Sequence, residues 1–241
     1  RIGMIFQEPM TALNPVHTIA RQVGEPLRLH RGLSQADARK EVLALLDRVG
    51  IPDAASRLDA YPHQFSGGQR QRIGIAMALA CGPDLLIADE PTTALDVTIQ
   101  KQILELIQGL VAERGMALIL ISHDLGVIAQ TVSKMLVMYG GSVVESGPTE
   151  AVFARRGHPY TQGLFAARPA IGAPRGLRLA TIRGSVPELV DLPPGCPFAG
   201  RCSYTIDACK TTRPPATMLP PDHAVRCIRL EEIAAQGAIA P

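Results

Sequence analysis

A parallel α/β domain followed by a loop-rich appendage is the architecture this sequence predicts, and three observations predict it. Apolar runs alternate with helical patterns up to about residue 152. Two of those runs, Asp84-Leu85-Leu86-Ile87-Ala88 and Ala117-Leu118-Ile119-Leu120-Ile121, are nearly unbroken, as expected of strands buried on both faces. Beyond residue 152, Pro187, Pro193, Pro194, Pro197, Pro214, Pro215, Pro220 and Pro221 crowd one segment, together with four of the five cysteines. Proline fixes φ and removes a donor, so long helices and central strands are not expected there.

Taken in order, Arg1-Ile2-Gly3-Met4-Ile5-Phe6 reads as a first strand without a lead-in, so the chain is expected to be a fragment. A helical subdomain is expected at about residues 8–80. Within it Ser34 can cap a helix whose apolar face is Val42, Leu45, Leu46 and Val49, ending at Gly50. Cys81 stands at the end of the apolar helical run from Ile73 and is expected in the core. Val97 to Arg114 carries Ile99, Ile103, Ile107, Leu110 and Val111 at helical spacing, and Gly115 stops it. Met135 to Tyr139 and Ser142 to Glu145 flank Gly140-Gly141 and read as a hairpin.

Composition narrows the function. Hydrophobic residues make up 46% and charged residues 19%, which suits a packed core rather than a disordered chain. A net charge of +2, with both signs interspersed, gives no concentrated basic face for nucleic acid. No run approaches the ~18 apolar residues of a membrane span, and the opening residues do not have a signal peptide's pattern. A soluble or peripheral protein that stays in the cytosol is expected.

The residues that carry chemistry recur at strand ends and one helix start. In Phe65-Ser66-Gly67-Gly68-Gln69-Arg70-Gln71-Arg72, Ser66 is a good N-cap, and two glycines let backbone N–H groups approach a ligand. With the helix dipole added, Ser66, Gly67, Gly68 and Gln69 suit a phosphate, although an ordinary capped helix has the same signs. Leu85 to Pro91 places Asp89 and Glu90 at the end of a strand, where α/β sheets bind ligands. Asp89 suits Mg²⁺, and Glu90 suits a general base for an attacking water. Thr93-Ala94-Leu95-Asp96 follows at once, and Ile121-Ser122-His123-Asp124 ends the next strand. His123 suits a γ-phosphate contact or a water-positioning role. Gln7, just past the first strand, offers a neutral amide for Mg²⁺ or water.

In this order the five segments resemble the Q-loop, signature motif, Walker B, D-loop and H-loop of ABC-type ATPases, over nearly all of residues 1–152. The resemblance implies an ABC-type P-loop NTPase core, a parallel sheet plus helical subdomain, lacking its N-terminal part. It implies that Gln7 senses Mg²⁺ and the γ-phosphate, Asp89 binds Mg²⁺, Glu90 is the base, and His123 is the switch histidine. Asp96 would lie in the loop that crosses between two subunits. Phe65 stands where the family often has Leu. No Gly-x-x-x-x-Gly-Lys-[Ser/Thr] occurs in the chain, and the phosphate loop is expected upstream of Arg1.

Three further stretches narrow the resemblance to the oligopeptide, dipeptide and nickel importer ATPases. They are Gln7 to Pro15, His158-Pro159-Tyr160-Thr161-Gln162-Gly163-Leu164, and Gly195-Cys196-Pro197-Phe198 with Arg201-Cys202 and the later Cys209 and Cys227. Residues 153–241 then form an importer-type C-terminal extension. Its cysteines are spaced by five, six and seventeen residues, without the Cys-x₂-Cys pair of zinc ribbons. A [4Fe–4S] cluster, to which the family also points, zinc, and plain thiols all stay open. The resemblance implies an ATP-hydrolysing subunit of a peptide importer, peripheral on the cytoplasmic face of the membrane. Its expected partners are a second ATPase subunit in a heterodimer, two membrane permease subunits and, indirectly, an external solute-binding protein. The alternatives are a nickel-importer ATPase, a non-catalytic accessory subunit, and a metal- or redox-sensing module.

Overall fold

The computed structural model describes residues 1–8, 12–168 and 180–235; Pro9, Met10 and Thr11 of the stretch after Gln7, and residues 236–241, lie outside it. The chain divides into two compact units, Arg1–Thr131 and Val132–Pro241.

In the first unit, β1 (Ile2–Ile5), β2 (Leu85–Asp89) and β3 (Ala117–Ile121) form a parallel sheet in the order β1-β2-β3. Between β1 and β2 the chain runs through helices α1 (Ile19–Arg31), α2 (Gln35–Arg48), α3 (Ala54–Arg57) and α4 (Gly67–Leu79). Ser34 accepts a hydrogen bond from Asp37 N as the cap of α2, whose Val42, Leu45 and Leu46 are buried. Helix α5 (Val97–Arg114) buries Ile103, Ile107 and Leu110 and stops at Gly115, which has φ 61°. That angle favours glycine because it carries no Cβ. Helix α6 (Leu125–Thr131) closes the unit.

Among the described residues the sheet is fully buried on one face only, which corrects the expectation of strands buried on both. Ile5, Leu86 and Ala88 are buried in the core, and Leu118 and Leu120 pack against it. The alternate residues Ile2, Met4, Ile119 and Ile121 are exposed. The physical reason is the pleat: successive side chains point to opposite faces, and the apolar side chains of α4 and α5 share the core with one face alone. Cys81 also departs from expectation. It lies past the end of α4, exposed, with its Sγ 3.4 Å from the carbonyl oxygen of Pro26.

The second unit is built on an antiparallel sheet whose strands β4 (Lys134–Tyr139), β5 (Ser142–Pro148), β6 (Thr217–Leu219) and β7 (His223–Val225) lie in the order β4-β5-β7-β6. Its hairpin, β4 and β5, turns through Gly140 and Gly141, with φ of 52° and 70°. Such a pair of positive angles suits a tight hairpin. Helices α7 (Thr149–Arg155), α8 (Pro159–Ala166), α9 (Asp207–Thr211) and α10 (Leu230–Ala235) complete it. The proline-rich segment does supply an interior strand, contrary to expectation. Its three residues, His223 to Val225, follow Pro220-Pro221 and contain no proline, so no ladder donor is missing. Here Glu145 is fully buried as an acceptor: it takes hydrogen bonds from Gly157 N at 2.7 Å and His158 N at 2.9 Å, and His223 Nε2 lies 2.7 Å away.

Candidate functional site

Three strand ends bring the first set of predicted residues together. In the register Ile5 pairs with Ala88 and Asp89 with Ile121, so Gln7, Glu90 and His123 all follow the same sheet edge. Gln7 Nε2 donates to Glu90 Oε2 at 3.0 Å, and His123 Nδ1 lies 3.2 Å from Glu90 Oε1. A third group reaches the same carboxylate: Thr93 Oγ1 donates to Glu90 Oε2 at 2.8 Å. The Thr93 hydroxyl first, then His123 and the Gln7 amide, hold the Glu90 carboxyl below its usual range, against the opposing effect of burial. Glu90 is therefore an ionised acceptor at neutral pH.

The backbone of Asp89, half-buried at the end of β2, pairs with Ile121, while its carboxylate has no hydrogen bond or ion pair among the described residues. An oxygen donor left open at a strand end suits a hard cation. The Gln7 amide spends its nitrogen on Glu90, which leaves its carbonyl oxygen as a second donor.

The segment expected to meet a phosphate is built as a capping box. Ser66 Oγ accepts from Gln69 N at 3.3 Å, while Gln69 Oε1 accepts from Ser66 N at 3.0 Å. Arg57 lies beside it, with its guanidinium 5.1 Å from the Phe65 ring centre and Nη1 3.5 Å from Gln69 Oε1. Gly68 has a packing role as well: an added Cβ would meet Ile99 Cγ2 at 2.9 Å, so α4 and α5 approach closely there. Asp96 is exposed and caps α5 by accepting from Ile99 N at 3.0 Å.

In the second unit Cys196, Cys202, Cys209 and Cys227 line one cavity, together with His158, Phe198, Thr205 and Arg229. The backbone N–H groups of Phe198, Tyr204 and Arg229 favour the thiolates of Cys196, Cys202 and Cys227, but burial outweighs them. Burial pushes the Cys196 and Cys202 thiols up and that of Cys227 to about 11. Among the described residues, no three His, Cys, Asp or Glu side chains gather as a cage for a single ion. His158 Nδ1 accepts from Tyr160 N at 3.0 Å, and burial lowers its pKa to about 4, so the imidazole is neutral.

Sequence reading passed over Thr93, quoted only as part of a motif, and Gln71, quoted only within the glycine-rich stretch. A hydroxyl three residues after an acid, across a turn, was the available signal for Thr93.

A parallel sheet with an ionised carboxylate, an amide and a histidine at its carboxyl edge, beside a glycine-rich helix start, defines a nucleotide-hydrolysing ATPase of the ABC class. The family described as ABC transporter matches residues 1–93, and the oligopeptide/dipeptide transporter C-terminal region matches residues 144–209. A protein of Brucella ovis named as a peptide import ATP-binding protein is 56% identical over 239 residues, which are 97% of this chain and 71% of that protein. The dipeptide transport ATP-binding protein DppD of Bacillus subtilis is 52% identical over 94% of this chain and 67% of its own length. Among solved structures, the ATP-binding cassette MJ0796, a dimer in a post-hydrolysis state bound to ADP and Pi, superposes with TM-score 0.54 at 30% identity. That likeness covers 62% of this chain and 63% of MJ0796. The structure of cbiO1 from Clostridium perfringens, part of the ABC transporter complex cbiONQ, gives 0.55 at 31% identity, over 64% of this chain and 59% of its own. The chain belongs to the ABC transporter ATP-binding family, in the branch that carries the oligopeptide/dipeptide transporter C-terminal region.

No helix among the described residues is long and apolar enough to cross a membrane.

Proposed function

We propose that this chain is the ATP-hydrolysing subunit of a peptide importer, working at the cytoplasmic face of the membrane with a second ATPase subunit and two permease subunits, and served indirectly by an external solute-binding protein. The observation that carries this reading is the convergence of Gln7, Thr93 and His123 on the Glu90 carboxylate. Glu90 accepts the proton of the attacking water, and its pairing with three neighbours aims the two oxygens. His123, exposed and in contact with Glu90, would contact the γ-phosphate. The N-terminal turn of α4 offers the Gly67 and Gly68 N–H groups and the Ser66 hydroxyl to a phosphate of ATP held by the partner subunit, and Asp96 would lie in the loop that crosses to that subunit. Asp89 and the Gln7 carbonyl oxygen would hold Mg²⁺, which when bound neutralises phosphate charge. Peptide as cargo is supported by the names of the relatives, including DppD, and by the match to the oligopeptide/dipeptide region.

The full-length protein assembled with its permeases in liposomes tests this reading. ATP turnover should rise when a peptide-loaded binding protein is added; a rise with nickel-loaded binding protein alone would replace peptide by nickel.

The cysteine cavity supports a [4Fe–4S] cluster in preference to zinc. The support is that Cys196, Cys202, Cys209 and Cys227 all line one cavity, and that a cluster of this kind takes four thiolates at wider sequence spacing than a zinc ribbon. Cys196, Cys202, Cys209 and Cys227 would be its ligands; bound, it would supply a cross-link, and redox capacity. Cys202→Ser should strip most of the iron from protein purified without oxygen, as read by iron analysis. Full iron in that variant would remove Cys202 from the ligand set.

A further inference from the structure

Gln71 is the least expected side chain in the first unit. It stands on α4 at 1% exposure, among Ile73, Ile75 and Ala76, where an apolar residue would ordinarily serve. Burying an amide costs free energy unless it is hydrogen-bonded. Its Nε2 donates to the carbonyl oxygen of Pro91 at 2.7 Å, twenty residues on and immediately after Glu90.

The turn so held is strained. Glu90 has φ 43° and Ala94 φ 62°, both in the left-handed region and neither a glycine. Such backbone persists only where its surroundings fix it. Hydrogen bonds from several elements do so here, among them these four. Glu90 N donates to Ile121 O at 2.9 Å, and Thr93 N to Glu90 O at 3.1 Å. Thr93 Oγ1 donates to the Glu90 carboxylate, and Gln71 donates to Pro91. The first three come from the sheet and from the turn itself. Only the last comes from the helix whose first turn holds Ser66, Gly67, Gly68 and Gln69, and about one and a half turns of rigid helix separate Gln71 from its cap.

We infer that Gln71 is a positioning residue: it fixes the Glu90 turn to the helix that begins at Ser66, so that the seating of a phosphate at Ser66–Gln69 and the aim of Glu90 are mechanically joined. The inference rests on Glu90 as the base. Through it, nucleotide closed under this helix by the partner subunit and the hydrolytic group of this subunit share one rigid body. No such link follows from either motif read by itself.

The test is a double-mutant cycle on the assembled full-length transporter. Gln71→Met keeps the length and apolar body of the side chain and removes the N–H donor. It should lower kcat by about 10- to 100-fold, the cost of a misaimed group, with KM for ATP little changed. In combination with Glu90→Gln it should cost no further loss, because the group it aims is already gone. Gln71→Leu, also without a donor, reads the same quantity should methionine pack poorly. Wild-type kcat in both Gln71 variants would overturn the inference. So would a double variant slower than Glu90→Gln by the full factor of the single, which would place Gln71 in an independent role. Wild-type turnover in Glu90→Gln alone would instead overturn the base assignment beneath it.

Discussion

Glu90→Gln in the full-length protein, assembled with its partner subunits, is expected to cut ATP turnover by about 100- to 10,000-fold, the range for loss of a general base. The carboxamide keeps the shape of the side chain, and one oxygen remains to accept from Thr93 or Gln7, so the turn should hold. What disappears is the basic oxygen. An amide nitrogen carries no lone pair for a proton, and its N–H groups would face the donors that now surround the carboxylate. Phosphate release under saturating ATP measures the loss. ATP binding, and ATP-driven association of the two ATPase subunits, should persist, because Ser66 to Gln69 are untouched. Turnover at the wild-type rate would end the role given to Glu90.

Local signals carried much of this structure, and the failures share a cause. Helix ends were legible because the capping residue acts within a few positions: Ser34, Ser66 and Gly115 do in the structure what their types and spacings predict. The meeting of Gln7, Glu90 and His123 was legible in outline, because residues that follow parallel strands share an edge. The covering of the sheet was not. An apolar run reports that a strand is hydrophobic, whereas the exposure of Ile2, Ile119 and Ile121 depends on which faces other elements cover. Gln71 was illegible for a similar reason: its partner is a backbone carbonyl twenty residues away, and a carbonyl leaves no mark in the sequence. The cysteines announced themselves by number, but their convergence on one cavity depends on how Gly195 and Cys209 pack.

That packing yields the second large effect. Gly195 N donates to Lys210 O at 3.1 Å and Cys196 N to Cys209 O at 2.8 Å, so two backbone bonds clasp the loop of Cys196 to the helix of Cys209. A Cβ added at Gly195 would lie 2.3 Å from Cys209 O and 2.7 Å from Lys210 C. Neither obstacle is a side chain that can rotate away, so the two segments must part. Gly195→Ala is therefore expected to destabilise the second unit by about 1–3 kcal/mol, the usual cost of overpacking. If the proposed cluster forms, the variant should also lose most of its iron, because Cys196 and Cys209 would separate together. Gly200→Ala is the matched control, because a Cβ there meets nothing within 4 Å. Thermal unfolding reads the first effect whether or not iron is bound, and iron analysis reads the second. A Gly195→Ala protein that melts with the control would refute the clasp. One that melts early yet keeps its iron would show that Cys196 and Cys209 need not be held together for the centre to form.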